Sequence, residues 1–330
     1  MVIQDQFNRT HKYLRISLTE RCNLRCFYCM PPEGIALRPR SEFMRAEEID
    51  TIVGEFVAMG VNKIRLTGGE PLIRKDIDMV LRNLAKHPVE LAITTNGVIV
   101  DRFIDLFKEV GLQNINLSLD TLDKEKMERI TFRDHYDRIL SNLDLLIKNG
   151  FKVKINCVLI KGTNDDEIID FINLTKDKNI EVRFIEFMPF DGNSWDKEKC
   201  VTLEQIKTLA KNHYGESNIS TLDLDANHIT KKFNIAGYQG NFGVISSVSN
   251  PFCDSCNRIR LTADGKIRNC LFSNTETDLL TALRNEQDIR PLILGNVAKK
   301  HAKWGGVDEL KKDVFFDDGS RNRSMTTIGG

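Results

Sequence analysis

Six of the eight cysteines fall into two tight groups, Cys22, Cys26 and Cys29 in CNLRCFYC, and Cys253, Cys256 and Cys270 in CDSC followed by thirteen residues and a third cysteine. Three thiolates within one loop converge on one compact inorganic object. A closed structural zinc site takes four ligands, whereas a four-iron cluster held by three cysteines keeps one iron open for a substrate or cofactor. For the first group the competing readings are a zinc knuckle with a distant fourth ligand and three unrelated thiols. For the second group, an open cluster and a zinc ribbon lacking one ligand stand level on spacing alone. Beside it, NRIRL alternates, so Arg258 and Arg260 share a side if the segment is a strand, a guanidinium fork suited to polyphosphate. The plainer reading is a solvated pair of surface arginines. Gly68 and Gly69 allow backbone to approach a ligand, and Glu70-Pro71 stops a strand with a fixed turn; alone, these four residues are simply turn chemistry. Cys157, inside the strand-like KVKINCVLI, and Cys200 read as ordinary thiols.

These residues need elements to hold them, and the sequence alternates strand and helix signals over its first 190 residues. YLRISLT (13–19), VNKIRLT (61–67), VELAITT (89–95), LQNINLSL (112–119), FKVKINCVLI (151–160) and IEVRFIEFM (180–188) read as strands. Between them lie amphipathic helices: Ile49, Ile52, Val53, Phe56 and Val57 make one face ending at Gly60, and IDMVLRNLAKH, RFIDLFKEVG, YDRILSNLDLLIKNG and DDEIIDFINLTKDK follow. Six such units make an α/β parallel sheet, open and two-sided or curled into part of a barrel. The first cysteines, Gly68 to Pro71, Thr94 to Gly97, Ser118 to Asp120 and Met188-Pro189 all follow carboxyl ends of strands, which favours an incomplete (β/α)6 TIM-like barrel over residues 1–195. A smaller α+β domain is expected over 196–318, where KKFNIAGYQGNFGVISSVS suggests short antiparallel strands. Residues 319–330 read as a flexible polar tail ending in Gly-Gly.

The chain has 330 residues, 41% of them hydrophobic, with 47 Lys plus Arg against 47 Asp plus Glu. Zero net charge argues against a chain-wide nucleic-acid surface. No run has the ~18 apolar residues of a membrane span, and the start lacks a secretory signal, so a cytoplasmic protein with no membrane or nucleic-acid partner is expected. Eight cysteines are too sparse for a disulfide scaffold.

C-x3-C-x2-C after a first strand, with an aromatic before the last cysteine, is the signature of the radical SAM superfamily. That resemblance implies a [4Fe-4S] cluster on Cys22, Cys26 and Cys29 whose open iron chelates S-adenosylmethionine and cleaves it to a 5'-deoxyadenosyl radical. It also implies Tyr28, Gly69, Ser118 and Met188 as S-adenosylmethionine contacts. The ordered set LRISLTERCNLRCFYCMP, KIRLTGGEPLIRKD, AITTNG, INLSLD, VLIKGTND, VRFIEFMP, FCDSCNRIRLTADGKIRNCLF and the terminal Gly-Gly is similar to the GTP 3',8-cyclase (MoaA) family of molybdenum cofactor biosynthesis, over essentially the whole chain.

The family resemblance implies a second [4Fe-4S] cluster on Cys253, Cys256 and Cys270 that ligates guanine. It implies GTP contacts from Arg15, Arg65, Thr94, Lys161, Arg258, Ile259 and Arg260, and catalytic assistance from Arg15, Arg258, Arg260, Gly329 and Gly330. The implied reaction takes hydrogen from ribose C3' of GTP and joins C3' to C8, giving (8S)-3',8-cyclo-7,8-dihydroguanosine 5'-triphosphate in the first step of the pathway. Implied partners are an electron donor such as flavodoxin or ferredoxin, cyclic pyranopterin monophosphate synthase as the next enzyme, and a second copy of the chain in a homodimer. A peptide-modifying radical SAM enzyme with an auxiliary cluster, which would have no need of the CNRIRL arginines, and a non-catalytic zinc or iron-sulfur protein are the alternatives.

Overall fold

The computed structural model describes residues 2–30, 34–35, 38–190, 193–222, 229–306 and 323–329. The first half alternates β1 (Tyr13–Ser17), α1 (Ala46–Ala58), β2 (Lys63–Thr67), α2 (Ile77–Leu84), β3 (Glu90–Thr95), α3 (Ile104–Glu109), β4 (Asn114–Ser118), α4 (Lys124–Thr131), α5 (Tyr136–Lys148), β5 (Lys152–Leu159), α6 (Ile168–Asn173) and β6 (Glu181–Glu186). Helix α1 forms because Ile49, Ile52, Val53 and Phe56 recur on one face, all fully buried, while Glu48 turns back to accept from the Arg45 backbone N–H at 2.7 Å. Gly60, at φ +95°, then reverses the chain. Helix α4 was not legible in the sequence. KEKMERIT buries only Met127, Ile130 and Thr131, and its start is fixed by the Asp123 carboxylate accepting from the Lys126 N–H at 2.7 Å.

Parallel pairing runs without a break from β1 through β6. The later strands join the same sheet. Strand β9 (Asn241–Ile245) pairs parallel with β6, and β10 (Arg258–Leu261) pairs parallel with β1. Beyond them, β7 (Ile219–Leu222) and β8 (Lys231–Ile235) extend one edge antiparallel, and β11 (Lys266–Arg268) and β12 (Thr277–Asp278) extend the other. The C-terminal region therefore flanks the six-stranded unit on both sides within one 12-stranded sheet. Helices α7 (Leu203–Tyr214), α8 (Leu279–Arg284), α9 (Arg290–Ala298) and α10 (Met325–Ile328) complete the described elements.

The two sheet faces differ chemically. Leu14, Ile16, Ile64, Leu66, Ile93, Ile115, Leu117, Ile155, Val182 and Phe184 form one face, all fully buried in the main core. Burial of each such side chain contributes roughly 1.5–3 kcal/mol. The alternate residues are polar and face the other way. The sheet curls around that polar face: Arg183 on β6 presses electrostatically on Arg15 on β1, although four strands lie between them. In a flat sheet those strands would stand about 24 Å apart. The curl is incomplete, since among the described strands no pairing joins the two sheet edges.

The expected flexible tail is not what its described part shows. Within Arg323–Gly329, Met325–Ile328 form a short helix with Thr326 and Ile328 buried, and Arg323 donates to both Asp264 oxygens at 2.8 Å and to Glu276 at 2.7 Å. Gly330 lies outside the described residues.

Candidate active site

Register brings the polar residues of successive strands together. Arg260, Arg15, Arg65 and Ala92 are neighbours across β10, β1, β2 and β3, while Thr94, Asn116, Lys154, Glu181 and Asn241 are neighbours across β3, β4, β5, β6 and β9. Cα partners in register present side chains to the same face. The lumen so formed carries buried atoms with no hydrogen-bond partner: Arg15 Nε, Ser17 Oγ, Thr94 Oγ1, Asn116 Oδ1, Asn156 Oδ1, Asn241 Oδ1 and Arg258 Nη2. Buried polar groups are normally satisfied, so this concentration on one face marks a cavity shaped for a polar guest.

The face is crowded with cations. Burial, then the charges of Arg258, Arg65 and Arg183, push the Arg15 guanidinium down to about 10, and burial with Arg15 and Arg258 pushes Arg260 far below its ordinary value. Lys154 falls to about 8, from burial and then Arg183. Two anions answer these cations. Burial alone would raise the Tyr13 phenol, but Arg65, Arg15 and Arg258 hold it at about 7, and Arg65 Nε donates to its oxygen at 2.6 Å. Glu181 is likewise held at about 2 against burial by Arg183 and Lys154.

The cysteine groups sit at opposite ends of this lumen. Cys22, Cys26 and Cys29 follow the carboxyl end of β1, whereas Cys256 lies two residues before β10, whose first residue, Arg258, pairs with Tyr13 at the start of β1. Between Tyr13 and Ser17 lies about 13 Å of strand. The sequence placed the first group at the carboxyl ends of the barrel strands and left the second unplaced; the parallel pairing of β10 with β1 puts the second at the other end.

Each loop is tethered. Gly69 and Glu70 donate backbone N–H groups to Thr19 and Arg21 at 2.7 and 2.8 Å, and a Cβ on Gly69 would stand 2.2 Å from the Arg21 carbonyl oxygen. The glycine requirement thus comes first from the approach of the cysteine loop itself. Buried Glu70 accepts from Thr95 Oγ1 and the Asn96 N–H, and Asn96 Nδ2 lies 3.7 Å from Cys22 Sγ. Tyr28 donates to Asp120 after β4. At the other end, Arg9 donates to the Cys253 carbonyl at 2.8 Å. Glu186, closing β6 at its carboxyl end, accepts from the Val248 and Ser249 N–H groups that follow β9.

Residues 16–175 match the radical SAM superfamily model and residues 180–305 match the model for the C-terminal region of molybdenum cofactor synthesis proteins. The GTP 3',8-cyclase of Arabidopsis thaliana mitochondria is 44% identical over 332 residues, covering 99% of this chain and 83% of the relative. The chain belongs to the GTP 3',8-cyclase family of radical SAM proteins. Molybdenum cofactor biosynthesis protein 1 of Dictyostelium discoideum is 42% identical over 335 residues, and there the chain spans about half of the relative's length (99% of this chain, 52% of that protein). Among solved structures, Streptococcus suis SuiB shares the fold, with a TM-score of 0.63 at 18% identity over 89% of this chain and 69% of that one.

Family membership brings S-adenosylmethionine and iron-sulfur clusters as cofactors, and the donor sets fit them. Burial, then Asp120 and the other two thiols, raises Cys26 far above its ordinary value, and burial with Cys22 and Asp120 pushes Cys29 up to about 12. Mutual repulsion of this kind shows the three sulfurs converging. Yet among the described residues no three His, Cys, Asp or Glu side chains draw close enough to grip a single ion. All eight cysteines are free.

Arg15, Arg65, Thr94, Arg258 and Arg260 all belong to the lumen row, and Ser118 lies on the same face at the end of β4. Two expected contacts have side chains outside the lumen row. Lys161 stands exposed beyond the end of β5, beside Val201, Glu204 and Leu209 on the outer surface. Ile259 points its fully buried side chain into the apolar core, leaving only its backbone for a ligand. Met188 follows the carboxyl end of β6, the end at which the first group lies, and packs against Phe272. Sequence reasoning missed Tyr13, Lys154, Arg183 and the three asparagines. Their signal was polar alternation inside parallel strands, as in KVKIN, where two-sided burial would demand continuous apolar runs.

The C-terminal segment enters this lumen. Arg260 Nη1 donates to the Gly329 carbonyl, and a Cβ at Gly329, which sits at φ +83°, would stand 2.5 Å from Thr67 Oγ1 and 2.9 Å from Ser17 Cβ. Gly329→Ala is expected to expel the segment while leaving the sheet intact, seen as faster amide exchange across Thr326–Ile328; unchanged exchange would contradict the seating. Tyr13, deprotonated in the fold between pH ~7 and its unfolded value of ~10, adds stability that rises with pH across that window and is lost as pH falls through 7. A parent-minus-Tyr13→Phe ultraviolet difference titration should therefore show one phenolate forming near pH 7 rather than near 10.

Proposed function

We propose that the chain converts GTP to (8S)-3',8-cyclo-7,8-dihydroguanosine 5'-triphosphate. The carrying observation is the cation-lined lumen with a cysteine triad at each end. Bound clusters and S-adenosylmethionine supply the radical that takes hydrogen from ribose C3' and the electron that completes the reaction.

The chain's own residues bind and orient. Cys22, Cys26 and Cys29 hold one cluster, and Tyr28, Gly69, Ser118 and Met188 serve S-adenosylmethionine. Cys253, Cys256 and Cys270 hold the other. Arg15, Arg65, Arg258 and Arg260 are charge-assisted donors for the triphosphate, with Lys154 in the place first given to Lys161. The arginines act as fixed charges, since guanidinium is a poor acid even after burial has lowered it. Gly329 fills the crowded end of the lumen near Ser17 and Thr67, and Gly330 is assigned to the same assistance. We assign residues 1–195 to radical generation, 196–318 to the second cluster and nucleotide, and the terminal segment to assistance. A cytoplasmic site, a flavodoxin or ferredoxin donor, handover to cyclic pyranopterin monophosphate synthase and a homodimer belong to the same proposal. No helix among the described residues is long and apolar enough to cross a membrane.

Anaerobic reconstitution with iron and sulfide, followed by S-adenosylmethionine and reductant, should yield 5'-deoxyadenosine that rises with GTP, together with a cyclised nucleotide. Deoxyadenosine indifferent to GTP would remove the substrate. Lys154→Ala should weaken GTP binding by about tenfold, the scale of one charge-assisted hydrogen bond of ~1.5 kcal/mol, while Lys161→Ala leaves it unchanged in equilibrium dialysis.

A further inference from the structure

Lys300 follows α9 in a position that ordinary folding does not favour for an ammonium. It is 2% exposed. Its Nζ donates to the Arg258 carbonyl at 2.9 Å and to Cys256 Sγ at 3.4 Å, and among the described residues no carboxylate pairs with it. His11, itself buried, is pushed down to about 4, by burial and then by the Lys300 charge. A buried cation without a counter-charge costs several kcal/mol. Here the countercharge is sulfur.

We propose that Lys300 is a positioning and tuning residue for the second cluster: its ammonium donates to the Cys256 thiolate and offsets the negative charge that the cluster gains on reduction. The inference rests on the assignment of that cluster to Cys253, Cys256 and Cys270. Hydrogen bonds to ligand sulfur and nearby positive charge stabilise the reduced form and raise the potential. Backbone geometry fixes the contact. The Arg258 carbonyl, on the backbone at the start of β10, anchors the ammonium beside the sulfur. Gln6 Nε2 donates to the Lys300 carbonyl at 3.0 Å and Arg9 holds the Cys253 carbonyl, so the chain start secures both sides.

The test uses the full chain carrying Cys26→Ala, reconstituted so that the second cluster alone loads, with iron content and an electron paramagnetic resonance redox titration as readouts. Lys300→Met should retain about four irons per chain and shift the midpoint negative by at least about 59 mV, a tenfold change in the one-electron equilibrium. Lys300→Arg should return it towards the parent value. Full iron with an unmoved midpoint in Lys300→Met overturns the tuning role. If Lys300→Met fails to load, Lys300→Gln, a neutral donor, replaces it: a negative shift relative to Lys300→Arg supports the role of charge, and identical midpoints overturn it. A parent without second-group iron would instead sink the cluster assignment, separately from the role of Lys300.

Discussion

The structure depends on the burial of like charges along one face of a parallel sheet. Arg15, Arg65, Arg258, Arg260, Lys154 and Arg183 surround a lumen answered by Tyr13 and Glu181. In a medium less polarisable than water, such a set repels itself strongly. Its cost is offset on the other side of the same strands, where the apolar residues pack against the helices. Alternation within each strand therefore couples stability to binding: every second residue builds the core, and the residues between build a site that is electrostatically incomplete until an anion arrives.

Curling the sheet multiplies the effect. Flat, the arginines of β1 and β6 would act separately; curled, Arg183 and Arg15 share one space, and a polyphosphate within it meets donors from opposite walls. The two cysteine groups follow from the same pairing. Because β10 lies parallel to β1, a loop preceding β10 and a loop following β1 must occupy opposite ends, however far apart they are in sequence. Under the proposed function a nucleotide lying along the lumen spans the distance between them, and Tyr13, at the β10-loop end of β1, stands in register with Arg258, two residues after Cys256.

Much of this was legible in the sequence. Strands and helices followed from periodicity, and the first triad from its spacing after β1. The arginine fork at Arg258 and Arg260 followed from alternation, although in the structure Arg260 is buried against the terminal segment rather than solvated. Long-range facts were not legible. Nothing local in CNRIRL says that it pairs with YLRIS, so the opposite-end arrangement was hidden. Lys161 was chosen for its motif and Lys154 overlooked, because the decision rests on strand parity: Lys154 lies in register with Asn116 and Glu181, while Lys161 follows the end of β5. Helix α4 was hidden for a different reason, having too few apolar residues to announce its period.

The terminal segment shows how an incomplete site recruits its own chain. Arg323 is fixed by two carboxylates at the β10–β11 edge, Asp264 and Glu276, and Asp264 is shared with Arg38, which also holds Glu20 just before the first cysteines. One carboxylate therefore links the seat of the tail to the mouth of the first cysteine loop. From that anchor only six residues reach Gly329, and Arg260 donates to its carbonyl. A carbonyl satisfies a buried guanidinium only in part, because it brings no countercharge. A nucleotide phosphate brings both acceptor and charge, so it competes for Arg260 on favourable terms. Under the proposed function the segment holds the arginine and the phosphate takes it over; a Cβ in place of Gly329 would crowd Ser17 and Thr67.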